Sequence, residues 1–298
     1  RFLEKYIASK NIDLVHVHFA NVGAAFMPLL KQIDIPFIVS FYGYDYEKVP
    51  FQNPNIISSY QWIFTSAASI TTEGPHGKSI LIKMGCEADR IAVVPLGIPI
   101  ESNALPKGKK ANTLRLVQAA TLTPKKGQLV TLAALDQLDL ANLECTFLGE
   151  LDDTKYSQEV MSQIESLPNA KFKPFIAFDE FDDEMVKYDI LIQPSQYAPD
   201  RDCEGGAPLT LVHAQALGLP VISTDHCDIP NVVRHGKTGL LVPEGDSHAL
   251  AQAISDFYKM ATTEFSDWSQ QSIRNAQTHF DVKETGRKLF ELYSSLGA

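Results

Sequence analysis

Residues 189–246 read DILIQPSQYAPDRDCEGGAPLTLVHAQALGLPVISTDHCDIPNVVRHGKTGLLVPEGD, and this stretch decides the fold. An apolar run of strand length, 190–192, passes into a polar loop. Pro208 then opens a helical segment that ends near Gly218, and a second apolar run follows at Val221-Ile222. Two short apolar runs on either side of a helical pattern predict a strand, a loop, a helix and a second, parallel strand.

The loop between the first strand and the helix predicts an anion-binding site. Gly205 and Gly206 precede Pro208 at the expected first helical position, so backbone amides would point outward at the positive end of the helix dipole. Glu204 stands outside the helix, where its carboxylate can reach ligand hydroxyls or a developing positive charge. A Gly-Gly pair before a helix also occurs in tight turns that bind nothing, and that alternative stays open. One face of the helix carries two further candidates, Thr210 and His213.

Strand and helix patterns alternate on both sides of residues 99–111, a segment with two prolines and a cluster of lysines. We predict that this segment links two domains built of parallel βαβ units, residues 1–98 and 112–282. In the first domain, strands are predicted over 13–19 and 37–41. A helix near 24–32 should join them.

A second strand-to-helix turn carries two lysines. The strand predicted over 114–120 passes through TLTPKKG into a helix, and Lys125 and Lys126 at that turn suit a phosphate by direct charge. The alternative is that both lysines only decorate a surface turn. The GKTG segment at 236–239 resembles part of a phosphate loop, but its glycine spacing does not fit, so only a turn is predicted there.

The composition describes an ordinary globular chain. With 298 residues and 45% apolar content, it can bury a large core. A formal net charge of −10 argues against a nucleic-acid partner and against a broad basic surface for anionic membranes, while a local basic patch stays open. No apolar run approaches the ~20 residues of a membrane span. Four widely spaced cysteines favour free thiols, so a cytoplasmic protein is expected.

No metal site is predicted. Asp200 and Asp202 come nearest to an acidic pair placed for a diphosphate. Cys203, His226 and Cys227 could meet, but they lack the usual C-x2-C pairing and a fourth ligand. We therefore expect chemistry without a metal, and a strict requirement for Mn²⁺ or Mg²⁺ would contradict this expectation.

These motifs together resemble a known family. CEGGAP, AQALGLPVISTD, IPNVV and GKTGLLVPEGD follow the order found in retaining glycosyltransferase family 4, and VHVHFANVGAA, FYGYD, VVPLGI and TPKKG extend the resemblance over nearly the whole chain. The resemblance implies the GT-B fold: two Rossmann-like domains facing a cleft, with the last helix, 283–298, returning to the first domain. The family's opening strand and glycine-rich loop have no counterpart, and the chain opens on Arg1, so a truncated N-terminal domain is expected.

The resemblance also implies roles for individual residues. The C-terminal domain would hold a nucleotide-sugar donor and the N-terminal domain the acceptor. Glu204 and Lys126 are the implied catalytic residues, the first on the donor sugar and the second on the donor diphosphate. The other candidate donor-binding residues are Lys125, Thr121, Arg201, Gly205, Gly206, Ala207, Pro208, Thr210 and His213. The implied acceptor-side residues are Tyr42, Gly43 and Asp45.

Three positions depart from the family pattern. The arginine that ends the first strand of the C-terminal domain falls on Thr121, the second glutamate on His213, and the histidine of the H-G loop on Tyr42. The loop from Glu204 to His213 is one residue longer than the commonest spacing. Arg201 is a candidate for the missing charge, and a neutral His213 can accept one hydrogen bond from a ribose hydroxyl.

The function implied by the resemblance is retaining transfer of a hexose from a nucleotide-diphosphate sugar to a glycan or lipid-linked acceptor hydroxyl, in polysaccharide or glycoconjugate biosynthesis. The donor is a substrate, so no cofactor is expected. Peripheral association with the inner face of a membrane stays open. So do two alternatives, a sugar-nucleotide 2-epimerase and a non-catalytic sugar or nucleotide binder. A dinucleotide oxidoreductase is disfavoured because neither half shows G-x-G-x-x-G after its first visible strand.

Overall fold

The computed structural model describes residues 2–100 and 104–297. Contacts between residues group the chain into two units. The first unit comprises Arg1–Leu96, Asp200–Gly206 and Lys283–Ala298. The second unit comprises Gly97–Pro199 and Ala207–Val282.

The first unit contains a four-stranded parallel sheet in the order β1-β2-β3-β4. Its strands are β1 (Val15–His18), β2 (Phe37–Phe41), β3 (Ser69–Thr72) and β4 (Ile91–Val93). Every residue of β2 is buried, since a central strand of a parallel sheet is covered on both faces. This burial explains why its sequence, FIVSF, is almost continuously apolar.

Short helices connect the strands of the first unit. They are α1 (Phe2–Ser9), α2 (Ala20–Ala25), α3 (Met27–Leu30), α4 (Lys48–Gln52), α5 (Ile56–Ser66) and α6 (Pro75–Lys83), with a 3-10 turn at Ala88–Arg90. The single helix predicted near 24–32 is two helices instead, because Phe26 leaves helical geometry and a second helix begins at Met27 with Pro28 in its first turn. In the core, the ring of Phe41 packs edge-on against Tyr60 at a centroid distance of 5.5 Å.

The second unit contains a six-stranded parallel sheet in the order β10-β9-β8-β5-β6-β7. Its strands are β5 (Leu114–Ala119), β6 (Leu143–Gly149), β7 (Ala170–Pro174), β8 (Ile190–Gln193), β9 (Val221–Thr224) and β10 (Gly239–Val242). The chain leaves β5 towards β6 on one side and returns to β8 on the other, so the strand order reverses between β5 and β8. Ligands of open α/β sheets bind at the carboxyl ends of the strands beside such a switch point.

Helices also connect the strands of the second unit, and the last helix of the chain, α14 (Val282–Ser295), belongs to the first unit from Lys283 onward. The helices of the second unit are α7 (Gln128–Asp136), α8 (Lys155–Ser166), α9 (Phe181–Met185), α10 (Leu209–Ala216), α11 (Ile229–Val232), α12 (Ser247–Lys259) and α13 (Thr262–His279), with 3-10 turns at Pro124–Lys126 and Phe178–Glu180. Side-chain caps begin two of them. Thr154 accepts a hydrogen bond from the amide of Ser157, and Asp246 from that of Ala249, and each cap contributes about 1 kcal/mol.

Two parallel sheets with helical connections confirm the predicted fold class of two Rossmann-like domains. The buried cores of the second unit follow from the strand sequences, because successive side chains of a strand point to opposite faces of the sheet. Leu116 and Ile190 belong to one apolar cluster, whereas their neighbours Val117 and Leu191 belong to another. Within residues 2–100 and 104–297, no helix combines the length and the apolar character that crossing a bilayer demands.

Gly127 fixes the turn that follows β5. Its φ is +70°, and an added Cβ would overlap the carbonyl oxygen of Pro194, just beyond β8. Only a residue without a side chain satisfies both the backbone conformation and the close approach. The ends of β5 and β8 are therefore held side by side at the switch point.

Gly127→Ala should lower the free energy of unfolding of the second unit more than Gly236→Ala. Gly127 and Gly236 have φ values of +70° and +74°, but only at Gly127 would the new Cβ meet another residue. The backbone term is about 1–2 kcal/mol at each position, and we expect a loss of at least about 2 kcal/mol for Gly127→Ala. Urea unfolding followed by Trp268 fluorescence, in a Trp62→Phe background, reports the second unit. Equal losses would mean that the Pro194 contact contributes nothing.

Candidate active site

The two lysines predicted to bind phosphate lie at the switch point of the second unit. They belong to the 3-10 turn Pro124–Lys126, which follows β5. The backbone amide of Gln196, beyond β8, donates to the carbonyl of Lys125 at 2.9 Å, and the side chain of Gln118 donates to the carbonyl of Lys126 at 2.7 Å. These bonds fix the backbone that carries both half-buried lysine side chains.

The two glutamines that hold this turn were not singled out from the sequence. Gln118 is 1% exposed at the end of β5, and its Oε1 accepts a hydrogen bond from the Thr131 hydroxyl at 2.7 Å. The side chain of Gln196 donates to the carbonyl of Pro124 at 3.1 Å. A glutamine inside an otherwise apolar strand is the signal that could have found Gln118, because a buried polar group needs partners.

Thr121 stands where the family pattern has an arginine. It is exposed just beyond β5, and its carbonyl accepts a hydrogen bond from the Gln128 side chain at 2.9 Å. The backbone there is held in place, but the threonine hydroxyl brings no positive charge to the switch point.

The start of α10 differs by one residue from its prediction. Pro208 precedes the helix as its N-cap, and Leu209 is the first helical residue. Among the residues that the structure describes, no side chain caps this helix and its first turn holds no acidic residue, so the free amides there form the positive end of the helix dipole. Half-buried Ala207 lies just before the cap, and the Thr210 hydroxyl donates to Oε1 of buried Gln193 at 3.1 Å.

His213 lies in α10 between aromatic rings. The rings of Phe178 and Phe181 meet it edge-on, at centroid distances of 5.8 and 5.7 Å. Its Nδ1 lies 3.8 Å from Oδ1 of Asp182. Burial lowers the pKa of His213, although Asp182 acts in the opposite direction. The imidazole is therefore neutral at pH 7 and offers one donor and one acceptor.

Asp45 is a structural anchor of the first unit. It is fully buried, and its carboxylate accepts hydrogen bonds from the amides of Ala20 at 2.7 Å and Tyr42 at 2.8 Å. The hydroxyl of Tyr60 donates to its carbonyl at 2.7 Å. Burial raises the pKa of Asp45 to about 6. The residue belongs to the loop that the sequence pointed to, but its carboxylate joins the ends of β1 and β2 rather than facing solvent.

Gly43 and Gly205 meet backbone to backbone in the first unit. Their φ values are +80° and +71°, and a Cβ on either would overlap the Cα of the other. Half-buried Glu204 directly precedes this contact. Gly206 lies against the carboxylate of Glu73, an acid that was not singled out from the sequence. The contact seats the Glu204 loop on the loop that follows β2.

An ion pair holds the same loop from its other end. Nζ of Lys48, in α4, lies 2.8 Å from Asp200 and 3.4 Å from Asp202. The pair raises the pKa of Lys48 and lowers that of Asp200. The Asp200-x-Asp202 pair is thus engaged by an ammonium group. Between them, Arg201 is exposed and has a φ of +65°, which is uncommon for a residue with a side chain.

Tyr42 stands where the family pattern has a histidine, and it is hydrogen-bonded to another histidine, His18. The hydroxyl of Tyr42 lies 2.6 Å from Nδ1 of His18, and burial raises the pKa of this tyrosine. The ring of Phe19 lies 4.8 Å from that of Tyr42. Phe19 is 40% exposed and has a φ of +69°, a strained geometry of the kind that clusters at functional sites.

The histidines of β1 have protein partners. Nδ1 of His16 lies 2.6 Å from the hydroxyl of Tyr293, in α14, and Nε2 lies 2.7 Å from that of Ser40. Burial, followed by the nearby His18, lowers the pKa of His16 to about 4. His16 is therefore a neutral link between β1 and the last helix.

The sequence placed Cys203, His226 and Cys227 as residues that could meet, and two of them, His226 and Cys227, lie in the second unit. Nδ1 of His226 lies 2.7 Å from Oε1 of Glu244, and its Nε2 lies 3.2 Å from Sγ of Cys227. Both ring nitrogens of His226 are thus engaged within the protein. Cys203, the third member, belongs to the first unit.

Two family models match the chain. The model described as glycosyl transferases group 1 matches residues 100–277, and the model described as glycosyl transferase 4-like domain matches residues 1–97. The first model alone covers more than half of the chain, including the lysine turn and α10. The chain therefore belongs to the group 1 glycosyltransferases, which confirms the family that the motifs indicated.

Similar proteins add detail. WcaL of Escherichia coli strain K12, named as a glycosyltransferase of colanic acid biosynthesis, is 29% identical over 294 residues, covering 95% of this chain and 71% of WcaL. AmsK of Erwinia amylovora, an amylovoran biosynthesis glycosyltransferase, is 31% identical over 247 residues, covering 81% of this chain and 60% of AmsK. The crystal structure of HepE from Anabaena with UDP-glucose matches at a TM-score of 0.80 and 20% identity, covering 99% of this chain and 81% of HepE. This structural likeness supports the fold.

Asp45→Asn should remove a pH dependence from the stability of the first unit. Because the pKa of Asp45 is raised from 3.8 to about 6, the folded state keeps a proton that the unfolded state has released. Protonation of Asp45 therefore adds to the free energy of unfolding, by up to about 3 kcal/mol. This contribution is complete below the pKa of Asp45 in the unfolded state, and it is lost as the pH rises through the pKa in the folded state. The asparagine does not titrate, although its amide replaces one acceptor oxygen and adds a constant loss.

Urea unfolding followed by Trp62 fluorescence, in a Trp268→Phe background, provides the measurement. The stability of wild type minus that of Asp45→Asn should be larger at about pH 4 than at about pH 7.5. A difference that is the same at both pH values would mean that the Asp45 carboxylate folds with an unshifted pKa.

Proposed function

We propose that this chain transfers a hexose from a nucleotide-diphosphate sugar to a hydroxyl of a glycan or lipid-linked acceptor, with retention at the anomeric carbon. Membership in glycosyl transferases group 1 supports the transfer. The names of WcaL and AmsK support a role in polysaccharide biosynthesis. The observation that carries the donor assignment is the lysine turn, which is held by buried Gln118 and half-buried Gln196 at the switch point of the second unit.

The donor diphosphate is assigned to Lys126 and Lys125. Both lie where open α/β sheets bind their ligands, and each charge-assisted hydrogen bond to a phosphate is worth about 1.5–3 kcal/mol. The start of α10, without a side-chain cap, supplies a further positive electrostatic contribution. The amides of Gly205 and Gly206 are assigned to the diphosphate and sugar on the strength of the family motif.

The proposed reaction breaks the bond between the anomeric carbon and the diphosphate oxygen and forms a bond to the acceptor oxygen. The diphosphate leaves with the bonding electron pair, and its departing oxygen takes up the proton that the acceptor hydroxyl gives up. Lys126 stabilises the negative charge that grows on the diphosphate, while Glu204 positions the sugar, whose ring gains positive charge. The proposal needs no metal, because lysine supplies the charge.

The acceptor is assigned to the loop that follows β2. Gly43 belongs to this loop, and Asp45 supports it from beneath as a positioning residue. Tyr42 is paired with His18 and lies beside the exposed ring of Phe19. An aromatic ring next to a hydrogen-bonding pair suits a sugar, which presents both C–H faces and hydroxyls.

Lys126→Ala should weaken the binding of UDP about ten- to a hundredfold, because it removes one charge-assisted contact. Calorimetric titration with UDP, GDP and ADP also identifies the base, and UDP is tried first because HepE was solved with UDP-glucose. Lys155→Ala removes an exposed lysine of α8 in the same unit and is the matched control. Titrations and transfer assays in EDTA, and then with Mn²⁺, test metal independence.

Distinct outcomes separate the alternatives. If none of the three nucleotides binds, the donor assignment is wrong and no donor site is left to support the transfer reaction. Saturable binding without turnover across nucleotide sugars favours a non-catalytic binder. A 2-epimerase converts the nucleotide sugar without an acceptor, whereas a transferase releases the nucleoside diphosphate. The anomeric configuration of the product, read by NMR, tests retention directly.

The affinity of wild type for UDP should fall as His213 takes up a proton, whereas His213→Gln keeps an acceptor and does not titrate. Burial places the pKa of His213 below the ordinary 6.5. The ratio of wild-type to variant affinity should therefore stay constant from about pH 8 to about pH 6.5 and fall only below that. The ratio cancels the titration of UDP itself. A ratio that already changes above pH 6.5, or never changes, would exclude this role for His213.

A further inference from the structure

A basic pocket lies in the second unit, away from the residues assigned so far. It is a cavity of about 250 Å³ beside the turn that precedes β10 and the helix α13. The side chains that matter in its lining are Arg234, Lys237, Thr238, Gln271, Arg274 and His279. None of the described residues that line it is acidic, although the chain carries a formal net charge of −10.

The basic pocket is separate from the switch point. Strand β10 begins at Gly239, so the turn 234–238 lies at the amino-terminal edge of the parallel sheet. The lysine turn follows β5 and lies at the carboxyl-terminal edge of the same sheet. Even a strand of four residues spans about 13 Å. A ligand of the basic pocket therefore differs from the one bound by the lysine turn.

Hydrogen bonds close the turn that forms one side of the basic pocket. The amide of Arg234 donates to the hydroxyl oxygen of Thr238 at 2.9 Å, and the amides of Lys237 and Thr238 donate back to the carbonyl of Arg234 at 3.0 and 2.9 Å. The amide of Gly236 donates to the carbonyl of Gly239 at 2.9 Å. The turn thus presents its two cationic side chains from a fixed backbone.

The helix α13 forms the opposite side. Gln271, Arg274 and Thr278 line the pocket at positions i, i+3 and i+7, so they share one face of the helix. Buried Asn275, on the same helix, donates to the carbonyl of Val232 at 2.9 Å. This bond ties α13 to the segment that leads into the turn and keeps the two sides of the pocket in register.

The cations of the pocket lack acidic partners. In the part of the chain that the structure describes, no carboxylate forms an ion pair with Arg234, Lys237 or Arg274. Instead, Nη2 of Arg234 donates to Nε2 of His279 at 2.6 Å, so the imidazole acts as an acceptor there. Like charges gathered around one cavity repel each other, and a bound anion would offset that repulsion.

We propose that the basic pocket binds a phosphate-bearing group. Guanidinium groups match the geometry of phosphate oxygens, an ammonium adds a further charge, and Gln271 supplies a neutral polar group. Three permanent cations suit the double charge of a phosphate monoester better than a single carboxylate. A soluble phosphate compound and the headgroup of an anionic phospholipid share this chemistry.

The test compares two double variants. The pocket variant is Lys237→Ala/Arg274→Ala. The control variant, Lys155→Ala/Lys259→Ala, removes the same charge from exposed sites of the same unit outside the pocket. One arm titrates inorganic phosphate into each protein, with Lys126→Ala as a reference in which the lysine turn is weakened. The other arm measures sedimentation with phosphatidylcholine vesicles, with and without phosphatidic acid. The pocket variant should lose about tenfold or more in affinity in at least one arm, and added salt should weaken the binding.

The two arms identify the source of the phosphate. Loss in the phosphate arm indicates a soluble ligand, and loss with phosphatidic acid vesicles alone indicates a lipid headgroup. The inference is overturned if neither phosphate nor vesicles bind the wild-type protein. It is also overturned if the control variant loses as much affinity as the pocket variant. Lys237→Gln, a milder change in an exposed turn, repeats the test should the double variant fold poorly by circular dichroism.

Discussion

The contact between the carbonyl of Pro194 and the bare backbone of Gly127 is the constraint on which the second unit depends. It brings the ends of β5 and β8 together where the strand order reverses. Gln118 and Gln196 then bind the carbonyls of the lysine turn, so the charged side chains start from a backbone with little freedom. Pre-organised charge of this kind spends little binding energy on ordering the site when the ligand arrives.

The first unit uses polar interactions for a similar purpose. Asp45 joins the ends of β1 and β2 through two backbone amides, and Lys48 holds the acidic end of the Glu204 loop. His16 connects β1 to Tyr293 in α14 through a hydrogen bond and an edge-on ring contact, so the last helix is anchored to the edge strand of the first sheet. Two positions that depart from the family pattern also have partners within the protein. Tyr42 shares a hydrogen bond with His18, and His213, in the second unit, lies between two phenylalanine rings.

Local sequence signals predicted most of the fold. The strand over 37–41 has the predicted bounds because FIVSF is almost continuously apolar. The split at Phe26 and the strand β10 were not predicted, since the GKTG segment reads as a turn and the following GLLV pairs with a strand distant in sequence. The motifs pointed to both lysines and to the Glu204 loop. They could not show that the Asp45 carboxylate is buried or that Asp200 binds Lys48, because both facts depend on residues far away in the chain.

The pair formed by Gly43 and Gly205 also limits how this protein can diverge. Each residue occupies a conformation that side chains resist, and each fills the space that a side chain of the other would need. A substitution at one position therefore cannot be rescued by a smaller residue at the other, since glycine is already the smallest. Sequence variation in descendants of this chain should accumulate around the two loops while their meeting point stays fixed, which makes that point a stable landmark for aligning distant relatives.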